Sequence, residues 1–283
     1  MDIRFLFNTY SIPSKPYPNL SQAWTILGVY LLLHLMVLSV SLLLPAVVGT
    51  GRYWQAFISY VVVFSGVLGF VALMMRTRGQ KITLQKNKVS PVVFILLFFI
   101  MPLTAILFEP ITEFVDLIPF PGSIKEYLDQ VKKAMKEATN TSLPSFLSIV
   151  IAAPLFEEII CRGVILEGLL RNRMNPKKAV LWSAIIFTCF HLNPYQIIYP
   201  MVMGCFFGWV YYKTRSIWIC IFMHFINNGF AFFALTVNSQ ELQLNDILRS
   251  DHLLIYMITA IPASVLIWLL ISYFNDRETL LPE

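Results

Sequence analysis

Charged residues are scarce in this sequence: Asp, Glu, Lys and Arg make up 13% of its 283 residues, whereas 57% are hydrophobic. A soluble domain ordinarily carries about 25% charged residues, so the composition excludes an ordinary soluble globule. The mean hydropathy is +0.69, and the charges that are present cluster between long apolar runs. This pattern is typical of a polytopic membrane protein, whose core is a bundle of helices in lipid.

The sequence also lacks the spacing of a disulfide framework or a cysteine-based zinc site. Its four cysteines lie in apolar segments and form no CxxC pair. The HExxH pattern of zinc metalloproteases is absent as well. The net charge of +5 does not indicate a nucleic-acid partner, because the basic residues stand in short loops beside apolar runs, where they set membrane orientation.

The apolar pattern predicts eight membrane-spanning helices, at about residues 24–48, 54–75, 91–108, 144–170, 179–192, 196–212, 216–237 and 253–274. The loops at 76–88 and 171–178 are basic, whereas the stretches 109–143 and 238–252 hold more acids than bases. Because basic loops stay in the cytoplasm, we predict that both termini are cytoplasmic. If the source is bacterial, we expect the protein to lie in the inner membrane. Within the acidic stretch, apolar residues at helical spacing predict an amphipathic surface helix over 124–138.

Two adjacent acids, Glu157 and Glu158, interrupt the fourth apolar segment. A carboxylate at the centre of a membrane helix costs about 2.5–3.5 kcal/mol even on insertion scales, so the pair predicts a site that faces a protein interior or a wet cavity. Arg162 lies four residues after Glu158 on the same helical face, and we expect these two to pair. Glu157 points about 100° away and has no counter-charge nearby in the sequence.

Two further motifs lie on later segments. His191 follows Phe187 by four residues in the fifth segment, and Asn228 follows His224 by four in the seventh. The second spacing places His224 and Asn228 on one helical face, where two hydrogen-bond donors could converge on a single oxygen.

Depth in the membrane provides an independent comparison. At about 1.5 Å per residue, Glu157 lies roughly 20 Å from the outer end of its segment, and His224 roughly 12 Å from the inner end of its own. In a core about 30 Å thick, these depths agree within a few ångströms. His191, roughly 18 Å from its inner end, lies somewhat further out.

These side chains are suited to hydrolysis. A glutamate helped by an imidazole can deprotonate water, and a histidine with an asparagine can stabilise the oxyanion of a tetrahedral intermediate. Structural interpretations stay open: an ion pair that locks helices, a satisfied core histidine, or polar contacts between helices. Two other functions stay open, namely a proton-coupled transporter in which Glu and His relay protons and a non-catalytic scaffold or bacteriocin-immunity protein.

The motifs EExxxR at 157–162, FxxxH at 187–191 and HxxxN at 224–228, in this order, resemble those of the CPBP family. This family comprises type II CAAX prenyl endopeptidases and Abi-like membrane proteases linked to bacteriocin processing or immunity. The resemblance implies an all-α intramembrane endopeptidase with about eight helices and an active site among the fourth, fifth and seventh. It also implies a single integral membrane domain over 1–283, with a catalytic core over 144–237.

By the same resemblance, Glu157 and His191 activate the water, His224 and Asn228 form the oxyanion hole, and Glu158 and Arg162 support them. The implied substrates are membrane-associated proteins, prenylated CAAX-type proteins among them, or peptide precursors.

Metal dependence is open at this point. His191, His224 and Glu158 could ligate zinc, and the family has been described as metalloproteases. An HxxxN pair makes better sense as an oxyanion hole than as half of a zinc site. We therefore predict a glutamate-dependent mechanism without a cofactor, with zinc as the alternative.

Overall fold

The structure is a computed structural model that describes residues 15–43, 51–116, 121–138, 142–191, 197–239 and 252–275. The helices in these ranges are α1 (Leu20–Leu43), α2 (Arg52–Arg76), α3 (Pro91–Asp116), α4 (Gly122–Ala138), α5 (143–171), α6 (Pro176–Phe190), α7 (Ile198–Thr214), α8 (Ile217–Ser239) and α9 (His252–Asn275). Within the described residues, extended pairing is limited to an isolated bridge between Lys86 and Ser216. The predicted all-α class is confirmed.

Each of the eight predicted segments overlaps a helix, and their residues 44–48, 192 and 196 lie outside the described residues. Among the described residues, α1, α2, α3, α8 and α9 are long and apolar enough to cross a membrane. Helices α6 and α7 are shorter, with 15 and 17 residues, and π-helical segments interrupt α5. The protein is therefore an integral, multi-pass membrane protein, and the count of eight crossings stays a prediction.

The acidic stretch after α3 differs from the expectation at its start. Helix α3 continues to Asp116, past the predicted end at residue 108, because the apolar run persists between the first acids. The amphipathic helix predicted over 124–138 is confirmed as α4. Its apolar residues are unevenly covered, since Leu128 is buried whereas Ile124 is exposed.

Helix α5 lies at the centre of the bundle and contacts α2, α6 and α8. Helices α6 and α7 pack against each other across two glycines on α7. A Cβ at Gly204 would lie 3.0 Å from the Ala184 Cβ, and one at Gly208 would lie 3.1 Å from the Val180 Cγ1. Small residues four apart let two membrane helices approach closely, and this approach brings the α7 backbone within reach of α5.

The segments that carry the basic loops meet at one end of the bundle. Hydrogen bonds connect them there: Tyr17 N–H to the Gln80 side chain (3.0 Å), the Asn172 amide to the Pro16 carbonyl (2.8 Å), and Ile217 N–H to the Gln85 carbonyl (2.8 Å). The loops predicted to share one side of the membrane thus share one face of the fold.

Candidate active site

The glutamate pair lies on α5 between two π-helical segments, Leu147–Ala152 and Ile159–Leu166. Pro154 accounts for the first, because its ring crowds the preceding turn and it has no backbone N–H. In the π register Ala153 N–H donates to the Ser148 carbonyl, so the residue after it would donate to the Ile149 carbonyl, which Pro154 cannot do. Such interruptions occur frequently at functional sites.

Neighbouring helices supply donors to both π segments. The Asn228 Nδ2 on α8 donates to the Ile149 carbonyl at 2.8 Å. The Ser183 Oγ on α6 donates to the Cys161 carbonyl at 2.9 Å. These bonds fix the rotation of α5 against α6 and α8, and with it the directions of the two glutamates.

Glu158 is fully buried in a network of cationic and polar partners. Arg162 Nη1 donates to its Oε1 at 2.9 Å, and both side chains are inaccessible to solvent, so the predicted pairing is confirmed. Arg162 Nη2 donates to the Gly204 carbonyl at 3.0 Å, and its guanidinium lies 4.5 Å from the centre of the Phe187 ring. The Nδ1 of His224 lies 2.9 Å from the same Glu158 oxygen. Since an ionised carboxylate only accepts hydrogen bonds, Nδ1 carries the donated hydrogen.

Glu157 is also buried, at 7% exposure, but its partners are fewer. The Tyr60 hydroxyl on α2 donates to its Oε1 at 2.8 Å. Its Oε2 has no hydrogen-bond partner among the described residues and lies 4.0 Å from the Nε2 of His224. His224 therefore lies between the two glutamates, and the depth agreement predicted for Glu157 and His224 is confirmed.

Aromatic rings pack against Tyr60, the residue that donates to Glu157. The Tyr60 ring stacks on Phe64 at 4.5 Å, and Phe64 contacts Phe156 at 6.0 Å. A carboxylate oxygen without a partner is costly in apolar surroundings. An oxygen in that position is nonetheless free to accept a proton, which is the requirement for a general base.

His191 lies at the end of α6, as the residue that caps it. Its Nδ1 is 3.0 Å from the Phe187 carbonyl, and a carbonyl only accepts, so the neutral ring presents Nε2 as an acceptor. Within the described part of the chain, no hydrogen bond or ion pair joins His191 to Glu157 or Glu158. The Phe187 ring contacts both histidine rings, at 5.0 Å for His191 and 5.8 Å for His224.

The two donors predicted to converge on one oxygen are already partly engaged. Besides its bond to the Ile149 carbonyl, Asn228 accepts a hydrogen bond from the Asn227 Nδ2 at 3.2 Å. Glu158 holds the Nδ1 of His224. The donors left over are the second Asn228 amide hydrogen and, when the ring is protonated, the His224 Nε2.

Of the candidate zinc ligands, Glu158 already uses its Oε1 for Arg162 and for the Nδ1 of His224. Among the residues that the structure describes, no three His, Cys, Asp or Glu side chains are grouped to hold a metal ion.

Two parts of the site were missed from the sequence. Tyr60 lies on a helix nearly 100 residues before Glu157 in the sequence. From the sequence alone it is indistinguishable from an ordinary aromatic residue of an apolar core. The signal was its hydroxyl, which must find a partner when buried in mid-helix. The second is Asn227, whose Oδ1 accepts a hydrogen bond from the Tyr199 hydroxyl on α7.

Fold and site together define an all-α, multi-pass membrane protein with a buried carboxylate–imidazole–amide group. Comparison with known proteins finds a similar family: residues 139–230 match the model described as "Type II CAAX prenyl endopeptidase Rce1-like". The family resemblance is confirmed, and the matched stretch contains all three motifs.

A relative is similar over part of the chain. The chain is 36% identical over 80 residues to the protein named "Putative membrane peptidase YdiL" from Bacillus subtilis (strain 168), which covers 28% of this chain. The match spans 32% of that relative's length. No solved structure matches the chain.

Proposed function

We propose that this protein is an intramembrane endopeptidase in which Glu157 activates water to attack a peptide carbonyl. One observation carries the proposal: the buried Oε2 of Glu157 is unpaired among the described residues and faces His224 Nε2 at 4.0 Å. The family match supports a CAAX-type intramembrane protease in general. Suitable substrates are membrane-associated proteins, prenylated ones among them, or peptide precursors.

The chemistry assigns one role to each side chain. Glu157 Oε2 takes one proton from the water, and the water oxygen forms a bond to the peptide carbonyl carbon. During this step His191 Nε2 accepts a hydrogen bond from the other hydrogen of the same water. His224 Nε2 and the second amide hydrogen of Asn228 donate to the oxyanion. The Glu158 carboxylate stabilises the imidazolium that this donation requires. The C–N bond then breaks, and Glu157 returns its proton to the leaving amine.

Purified protein in lipid vesicles, mixed with a library of labelled membrane-associated peptides, tests this role. We expect wild type to release fragments, and Glu157→Gln to lose about 10²–10⁴-fold in rate, the usual contribution of a general base. Glu126→Gln is the matched control, because Glu126 is exposed on α4 and lies in a different helix. Mass spectrometry of the fragments gives both the rate and the cleavage site.

Three outcomes would contradict parts of the proposal. Full activity of Glu157→Gln would remove Glu157 as the base. Loss of activity in 1,10-phenanthroline, restored by added zinc, would contradict the metal-free mechanism that we propose. Proton-dependent flux across the vesicles without any peptide cleavage would favour the transporter.

A further inference from the structure

A groove of about 340 Å³ runs between α1 and α2. This volume falls within the range of about 300–1,000 Å³ that is common for ligand sites. One wall of the groove is Tyr60, the residue whose hydroxyl donates to the Oε1 of Glu157. The groove therefore ends beside the reacting carboxylate.

Its walls carry polar side chains that the fold does not use. His34 and Ser41 on α1 and Gln55 and Ser59 on α2 line the groove, and none of them has a hydrogen-bond partner in the described parts of the chain. Ser41 and Gln55 stand near the helix ends, whereas His34 and Ser59 lie one to three turns deeper. Unpaired polar groups at membrane depth are costly, so a bound molecule that pairs with His34 and Ser59 would be favoured.

The dimensions and the chemistry favour an extended peptide. From Ser41 to Tyr30 the groove follows twelve residues of α1, or about 16 Å for the eleven steps of 1.5 Å between them. This length accommodates roughly five extended residues at 3.3–3.6 Å each. An extended backbone in lipid has unpaired N–H and C=O groups to offer. A helical segment has satisfied its own, and an acyl chain has none.

We propose that the α1–α2 groove binds an unwound, apolar segment of the substrate, whose backbone pairs with His34, Ser59 and their neighbours and leads to Glu157. The inference rests on the proposed endopeptidase function and names its substrate class: a membrane-embedded peptide locally opened to the extended conformation.

Photocrosslinking tests the groove without requiring cleavage. Benzoylphenylalanine replaces Ser59, or the neighbouring lipid-facing Ile58 as the matched control, since Ile58 is 44% exposed on the same helix. Both are made in a Glu157→Gln background and placed in phosphatidylcholine vesicles. The probes are a labelled apolar peptide with a central Gly-Pro pair, which opens its helix, and the same peptide with Ala-Ala. We expect position 59 to capture the Gly-Pro peptide about tenfold more than position 58 does, the ratio that a difference of about 1.4 kcal/mol in binding produces. We expect the Ala-Ala peptide to be captured equally at both positions.

Equal capture of the Gly-Pro peptide at positions 58 and 59, or mainly phospholipid adducts at 59, would overturn the groove assignment. Equal capture of both peptides at 59 would overturn the requirement for an extended segment. Selective capture at 59 without cleavage by the wild type would support the groove and contradict the endopeptidase. Cleavage without selective capture would contradict the groove alone.

Discussion

Glu157 and Glu158 are adjacent in the chain, yet their carboxyl groups have opposite surroundings. Glu158 holds Arg162 and His224 on one oxygen at 2.9 Å each. Glu157 accepts a single hydrogen bond, from the Tyr60 hydroxyl, and its Oε2 faces the His224 Nε2 at 4.0 Å. Each glutamate has an Oε2 without a hydrogen-bond partner among the described residues. The difference is that Arg162 and His224 hold Glu158 by its other oxygen, whereas Glu157 has no guanidinium beside it and is better suited to take a proton.

The supporting role of Glu158 predicts a stability effect. Glu158→Leu leaves the Arg162 guanidinium buried without its carboxylate, and breaking a buried pair in this way costs about 3–5 kcal/mol. Glu158→Leu combined with Arg162→Met removes both charges and should recover most of the loss. Thermal unfolding in detergent measures the difference. Equal unfolding midpoints for the single and the double variant would show that the unpaired Arg162 guanidinium is not the cause of the loss.

Tyr60 offers a second prediction at this scale. Tyr60→Phe keeps the ring but removes the hydrogen bond that positions Glu157, and bonds to charged groups contribute about 1.5–3 kcal/mol. We expect kcat to fall about 10- to 100-fold, with little change in KM. Tyr211→Phe is the matched control, because it removes a hydroxyl that donates to Glu167, a buried glutamate outside the site. An equal fall in kcat for both variants would assign the effect to packing.

At the scale of the helix, Pro154 and Asn228 form a compensating pair. The proline removes the N–H that would reach the Ile149 carbonyl in the π register, and the asparagine amide supplies the donor at 2.8 Å. Asn228 thus stabilises α5 in addition to its proposed bond to the oxyanion.

These two roles of Asn228 can be separated. Asn228→Ala leaves the Ile149 carbonyl unpaired, at a cost of about 1–3 kcal/mol. Adding Pro154→Ala restores a backbone N–H, so the double variant should regain the lost stability. Its proteolytic activity should stay low, because the oxyanion donor is still missing. Thermal unfolding and peptide cleavage measure the two effects, and recovery of activity together with stability would reduce Asn228 to a structural residue.

The sequence predicted contacts within one helix better than contacts between helices. The i,i+4 spacing was sufficient for Glu158 and Arg162, and a common depth was sufficient for Glu157 and His224. Neither spacing nor depth tells which helices are neighbours, so the Tyr60 contact from α2 was not predictable. Depth also does not show that the Phe187 ring contacts both histidines.

For the whole molecule, the arrangement of the loops connects charge with topology. Hydrogen bonds gather the N-terminal segment and the loops after α2, α5 and α7 at one end of the bundle. These segments carry most of the lysines and arginines that predicted the cytoplasmic side. Helix α5, with 29 residues over 143–171, is roughly 43 Å long at 1.5 Å per residue, which exceeds the bilayer core.

The acidic α4 should therefore lie on the opposite side of the membrane from the loop after α5. Asp129 on α4 and Lys177 at the start of α6 are both exposed, and a cysteine replaces one or the other. An impermeant maleimide added to intact bacterial cells should label Asp129→Cys at once and Lys177→Cys only after permeabilisation. The unmodified chain is the background control, because its four cysteines are buried or half-buried within helices. Reversed labelling would invert the orientation, and simultaneous labelling would mean that α5 does not cross the membrane.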